Sequence, residues 1–214
     1  MFFFIDICYN ELCFDTACMI YARSPRGGAI KKIINYGGFK MVDLKQSIRT
    51  IPDFPKKGIL FRDITTLLKD PEALHESIDQ LAGQLKDVDF DYVIGPESRG
   101  FIFGVPVAYA LGKGFIPIRK PGKLPAEVIS MDYDLEYGSN RLEMHKDALK
   151  PGDKVVIVDD LVATGGTAKA MCKMVESVGA KVVSLNFVIE LVDLKPRKTL
   201  EGYNVNSLVQ YEGA

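Results

Sequence analysis

The chain carries little excess charge of either sign. Its 27 lysines and arginines nearly balance 28 aspartates and glutamates, giving a net charge of -1. A general polyanion binder usually shows a basic excess or stripe, so nucleic acid is not expected as a partner. A small phosphorylated ligand stays open, because it needs only a local site. Metal-ligating residues are equally sparse. There are two histidines, His75 and His145, and four cysteines. Cys8, Cys13 and Cys18 recur every five residues, which is not a zinc spacing. Free thiols in a reducing compartment are the simpler reading. Long apolar runs are missing as well. The opening MFFFIDICYNELCFDTACMIYARSPRGG is broken by Asp6, Glu11 and Asp15. It therefore reads neither as a signal peptide nor as a membrane span, and no later run reaches the ~18 residues a span needs. The expectation is a cytoplasmic protein without a membrane partner.

What is present is an ordinary globular composition, 47% hydrophobic and 26% charged over 214 residues. That length suits one domain with a sizeable core. Residues 1–40 differ from the rest and end in the turn-rich stretches SPRGG and NYGG. They read as an appended segment or a misassigned start, with a helix over about 5–20 as the alternative. The chemistry is expected after Met41, in a domain spanning 41–214.

Periodicity organises that domain. PEALHESIDQLAGQL, residues 71–85, has Pro71 in the first turn and apolar residues at helical spacing. DYVIG at 91–95 reads as a short buried strand. PESRGFIFGVPVAYALG gives a loop and then an apolar helix stopped near Gly112, and GFIPIRK gives another strand. Residues 121–140, with Pro121, Gly122, Pro125 and Gly138, read as loop. The overlapping ISMDYDLEYGSNRLEMH also fits a two-stranded surface excursion. VVIV at 155–158 is a buried strand, a helix covers about 167–178, and KVVSLNFVIEL is a long strand. Strand and helix in alternation predict an α/β fold, a mostly parallel sheet with helices outside. Its ligands belong beyond the carboxyl ends of the strands.

VVIVDDLVATGGT, residues 155–167, is the most informative stretch. Asp159 and Asp160 emerge where the strand ends. Two adjacent carboxylates raise each other's pKa unless something compensates. Sugar hydroxyls that donate to both, or a metal-bound ligand, would do so. The ATGGT that follows suits a phosphate. Its glycines allow close approach, its amides converge, and the next helix adds free N–H groups and its dipole. Thr164 and Thr167 add hydroxyls, and Thr167 is a candidate helix cap. Acids for sugar hydroxyls beside amides for phosphate make a sugar-phosphate site. Neither GxGxxG nor GxxxxGK[ST] is matched.

This stretch resembles the phosphoribosyl pyrophosphate signature of the type I phosphoribosyltransferases. FPKKGILFRDITTLLKD, GPESRGFIFG, IRKPGKLP, DLEYG and LVQYEG, in that order, narrow the resemblance to the adenine phosphoribosyltransferase family from about Met41 onward. The resemblance implies that fold, with a small hood and a flexible lid loop. It implies the reaction of adenine with phosphoribosyl pyrophosphate to AMP and pyrophosphate, with Mg²⁺, in a homodimer. By the same resemblance Asp159 and Asp160 bind the ribose hydroxyls, and Ala163, Thr164, Gly165, Gly166 and Thr167 bind the 5′-phosphate. Arg99 and Lys120 approach the pyrophosphate; Lys123, in the glycine- and proline-bearing loop after GFIPIRK, is a further candidate by position. Phe61 stacks on adenine, the backbone of Leu60 and Arg62 reads its polar edge, and Leu161 packs on its other face. Glu136 handles the adenine proton and Tyr137 lies near the transferring centre. No protein ligand to the metal is assigned. The competing expectations are a phosphoribosyltransferase for another base, differing around Phe61 and Glu136, or a regulatory protein that keeps the sugar-phosphate site and binds nucleic acid.

Overall fold

The computed structural model describes residues 18–23, 29–34, 42–135 and 138–213, with side chains over 42–133 and 140–213. The chain divides into two compact units, Met1–Val42 and Asp43–Ala214. In the first, β1 (Cys18–Arg23) pairs antiparallel with β2 (Ala29–Ile34). The alternative of a helix over 5–20 fails at its described end, since residues 18–20 are strand; the remainder lies outside the described residues.

The second unit begins with α1 (Leu44–Ser47), β3 (Arg49–Pro52), β4 (Leu60–Asp63), α2 (Thr65–Lys69) and α3 (Pro71–Leu85). Next come β5 (Tyr92–Pro96), α4 (Arg99–Ala110), β6 (Gly114–Ile118), β7 (Val128–Leu135) and β8 (Gly138–His145). The chain closes with β9 (Lys154–Val162), α5 (Gly166–Ser177), β10 (Lys181–Leu191), α6 (Pro196–Thr199) and β11 (Val205–Tyr211). One five-stranded sheet runs in the order β11-β10-β9-β5-β6, and every neighbouring pair is parallel. A parallel sheet buries both faces, which is why β9 and β10 read as near-continuous apolar runs. Val155, Val156, Ile157 and Val158 are all fully buried.

Helix α3 spans the predicted residues. Asp70 caps it by accepting from the Glu72 and Ala73 amides at 2.9 and 3.3 Å, and Pro71 occupies the first turn, where its missing N–H costs nothing. Ala73, Leu81 and Leu85 are buried, and α3 packs against α4. On α5, Ala170, Met171, Met174 and Val175 are buried in the main core, and Val178 packs against it partly buried.

Residues 121–140 are not loop throughout. From Val128 they enter β7, which pairs with β8 as an antiparallel hairpin in register from Val128↔His145 to Leu135↔Gly138. The prolines and glycines that argued for loop lie before it, at 121–125, and Gly138 sits at its turn. β3 and β4 form a separate antiparallel pair, the counterpart of the expected hood. It is tied to the end of β11: the Arg62 guanidinium lies 4.1 Å from the Tyr211 ring centre and donates to the Gly213 carbonyl at 3.1 Å.

Candidate active site

Strand β9 runs further than its apolar core, so Asp159 and Asp160 lie within it rather than after it. Alternation then separates their side chains. Asp160 is 2% exposed, while Asp159 is half-buried and stands in register with Phe187 of β10. Asp159 Oδ1 accepts the Asp160 amide at 2.8 Å. Burial, followed by the charge of Asp160, pushes the Asp159 carboxyl well above its ordinary value. Burial also raises Asp160, against the pull of Arg99.

Arg99 is the compensating group. It opens α4, and its Nε lies 3.1 Å from Asp160 Oδ2. That oxygen has no hydrogen-bonded partner among the described residues, so the contact is an ion pair with acceptor capacity left over. Close approach of α4 to β9 depends on Gly100. A Cβ there would fall 2.4 Å from Pro96 Cδ and 3.0 Å from Asp159 Oδ1. Gly100 was not singled out from sequence, though its place in GPESRG was the available signal.

After β9 the chain turns through Gly165, whose φ of +85° is left-handed and suits glycine. Gly165 is the N-cap of α5, with no side-chain cap bond. Thr167 is therefore not the cap; it is already the second helical residue, because the helix begins at Gly166. The amides at the start of α5 remain available to a ligand.

These parts line one cleft of about 880 Å³ at the carboxyl ends of the strands. One wall is Pro96–Arg99 and another is Lys120 and Pro121. Asp159–Ala168 form the floor, joined by Phe187 from β10 and by Tyr133 and Asn140–Leu142 from the hairpin. The two cation-bearing walls are held together by Arg119. It donates to Glu97 at 3.1 and 3.3 Å, and the Lys120 amide also donates to Glu97. These bonds, Arg119 first, hold the Glu97 carboxyl below its ordinary range.

The cleft thus gathers Arg99, Lys120, Asp159, Asp160, Leu161, Ala163, Thr164, Gly165, Gly166 and Thr167. Lys123 is exposed and does not line it; its carbonyl accepts from Arg119 at 3.0 Å. Leu60, Phe61 and Arg62 do not line it either. They lie on β4, where Phe61 meets Phe54 edge-on at 5.2 Å between ring centres and Arg62 donates to Thr50 at 2.6 Å. Glu136 and Tyr137 lie outside the described residues. Phe187, Tyr133, Asn140 and Arg141 were missed by sequence reasoning. Only strand register brings Phe187 opposite Asp159, and only the hairpin brings the other three to the cleft.

The chain is similar to known proteins along most of its length. A phosphoribosyl transferase domain matches residues 65–208. The adenine phosphoribosyltransferase of Clostridium perfringens (strain SM101 / Type A) is 61% identical over 171 residues, 80% of this chain and 99% of that one. A solved adenine phosphoribosyltransferase from Thermoanaerobacter pseudethanolicus superposes with a TM-score of 0.78 at 55% identity, covering 80% of this chain and all of that one. The Saccharomyces cerevisiae enzyme, crystallised with an imino-altritol bisphosphate and adenine, gives 0.73 at 43% identity over 78% and 96% of the two chains. The chain belongs to the adenine phosphoribosyltransferase family.

Proposed function

We propose that the cleft transfers the phosphoribosyl group of phosphoribosyl pyrophosphate to adenine, releasing AMP and pyrophosphate. One observation carries this reading: an acid pair, a phosphate-cradling turn and two cations share a single cleft. The ribose hydroxyls donate to Asp159 and Asp160, which relieves the repulsion between the carboxylates. The 5′-phosphate accepts from the amides of Thr164–Thr167 and sits at the positive end of α5. Arg99 and Lys120 face the pyrophosphate. Arg99 offers a guanidinium fork there while its Nε stays beside Asp160.

The bond that breaks joins the anomeric carbon to the pyrophosphate oxygen, and its electron pair leaves with pyrophosphate. Positive charge on the ribose ring is met by the aspartates, and charge on the leaving group by Arg99 and Lys120. Adenine supplies the new bond through its ring nitrogen and gives up a proton to Glu136. Although β4 does not line the cleft, this reading has Phe61 stack on the base, with Leu161 on its other face and the backbone of Leu60 and Arg62 at its edge. A backbone acceptor suits the exocyclic amine and leaves a 6-oxo purine mismatched. This reading gives Tyr137 a role at the transferring centre. Exclusion of water by the β7–β8 hairpin protects the activated sugar from hydrolysis.

The residues fit Mg²⁺. The donors on the cleft floor are hard carboxylate oxygens, and Asp160 Oδ2 lacks a hydrogen-bond donor. Asp159 and Asp160 would hold the ion through water, with substrate oxygens as direct ligands. When bound it neutralises charge on the pyrophosphate.

The same reading places the chemistry after Met41 and expects a cytoplasmic homodimer. Ile102, Val105 and Tyr109 leave an exposed apolar stripe on α4 that a second copy would cover. Cys172, a buried free thiol, fits a reducing compartment.

The test is turnover with phosphoribosyl pyrophosphate and Mg²⁺ against adenine, guanine, hypoxanthine, xanthine, uracil and orotate. AMP formed far faster than any other nucleotide is the expected result. A different nucleotide would overturn the base assignment. Binding of the sugar pyrophosphate without any product would overturn the reaction.

A further inference from the structure

Outside the cleft, Glu190 lies one residue from the end of β10 and is 1% exposed. Its carboxylate accepts four hydrogen bonds: from Arg197 at 2.7 and 2.8 Å, from Ser207 at 2.6 Å and from Gln210 at 3.3 Å. The third arm of the Arg197 fork donates to the Val205 carbonyl at 3.0 Å. Arg197 thus clips α6 to both β10 and β11. Four residues of helix, Pro196–Thr199, do not hold their shape alone. The position of α6 must come from such anchors.

What α6 supports is the turn before α5. A methyl group added to Gly165 would lie 3.2 Å from the Pro196 carbonyl oxygen, 3.2 Å from Thr199 Cβ and 3.2 Å from Leu200 Cγ. The backbone of the phosphate turn therefore rests directly on α6 and the residue after it. A second tie follows: Tyr203 donates to Glu176 of α5 at 2.7 Å, and Lys169 lies 4.5 Å from the Tyr203 ring centre. The segment from Pro196 to Tyr203 is fastened to the sheet by Arg197 and pressed against both the turn and the helix it opens.

We propose that Arg197, held by Glu190, is a positioning residue for the 5′-phosphate: it fixes α6, and α6 sets the place of the Gly165 backbone. Arg197 does not touch substrate. The inference rests on reading the 163–167 turn as the phosphate site. A turn whose amides converge on an anion works only if its backbone is held in place, and displacement of a site by about 1 Å costs up to ~100-fold.

The test compares Arg197→Met and Arg197→Lys with the wild type and with Leu81→Ala, a core truncation on α3 that also lowers stability. Ribose 5-phosphate binding is measured by calorimetry, and KM is measured separately for phosphoribosyl pyrophosphate and adenine. Arg197→Met should weaken ribose 5-phosphate and raise KM for the sugar pyrophosphate by about tenfold or more. KM for adenine should change less than about twofold, and Arg197→Lys, which keeps charge without the fork, should fall between. Leu81→Ala should lower the melting temperature and leave ribose 5-phosphate affinity intact. If Arg197→Met does not fold, Arg197→Lys decides. Unchanged ribose 5-phosphate affinity in the folded Arg197 variants, or the same loss in Leu81→Ala, would overturn the proposal. If the wild type makes no AMP yet ribose 5-phosphate shows this pattern, the reaction assignment fails and the positioning role stands.

Discussion

Asp159 and Asp160 are neighbours in sequence but have different surroundings. Asp160 is buried against Arg99, whereas Asp159 has burial and a like charge to contend with. In the ligand-free protein the raised Asp159 pKa favours the protonated folded state. Its contribution to stability is present below the ordinary value of 3.8 and is lost as pH rises through the folded value. Asn at this position cannot ionise. Asp159→Asn should therefore melt near the wild type at about pH 4 and above it at neutral pH. A constant difference across a pH series of melting curves would contradict this. Asp160→Asn should instead weaken use of phosphoribosyl pyrophosphate. A hydrogen bond to a charged group is worth about 1.5–3 kcal/mol, so its KM should rise about ten- to hundredfold. Steady-state kinetics against both substrates will show whether KM for adenine holds. The acid pair was legible because its chemistry is local. Arg99 as its partner was not, because the contact crosses from α4 to β9.

Elements whose signals are local were also legible. α3 has its cap, its proline and its stripe within 16 residues, and the structure follows them. The β7–β8 hairpin was harder to read. Its strands alternate on a partly exposed surface, and prolines and glycines just before it looked like continuing loop. β4 was not legible from periodicity, because four residues carry too little of it. Its last residue, Asp63, shows how tertiary partners fix so short an element. Asp63 pairs with Arg49 of β3 and accepts the Thr65 amide at 2.9 Å and the Thr65 hydroxyl at 2.8 Å. Hydrogen bonding to Arg49, then to Thr65, lowers its pKa from 3.8 to about 2. The stability this supplies is present above 3.8 and lost as pH falls through about 2. Asp63→Asn should melt below the wild type at pH 6, with the gap closing between about pH 4 and pH 2. Acid melting curves of the two proteins give the answer; a gap that persists at the acid end would refute the role.

At the scale of the molecule, the order β11-β10-β9-β5-β6 places the ends of β9, β5 and β6 around one cleft. The same order sets α4 beside β5 and β9, so that its first residue serves the site. Further along, the helix leaves Val105 47% exposed and Tyr109 88% exposed. If a second copy covers this stripe, Val105→Asp should convert a dimer to a folded monomer. Light scattering with circular dichroism distinguishes that outcome from unfolding. A variant that remains dimeric would move the interface elsewhere.

The sequence alone determined which residues make the floor: strand, acid pair, glycine turn and helix are contiguous, so their order along the chain is their order in the cleft. It also determined the parallel α/β class, because buried strands and amphipathic helices alternate with distinct periods. Tertiary structure decided which distant groups complete the site. Pairing of β9 with β10 sets Phe187 against Asp159, and the absence of a side chain at Gly100 lets Arg99 reach Asp160. The seat of Gly165 on α6 likewise brings together residues more than 30 positions apart. Such contacts depend on strand register and close packing between elements, and neither leaves a periodic signal within a short stretch of chain.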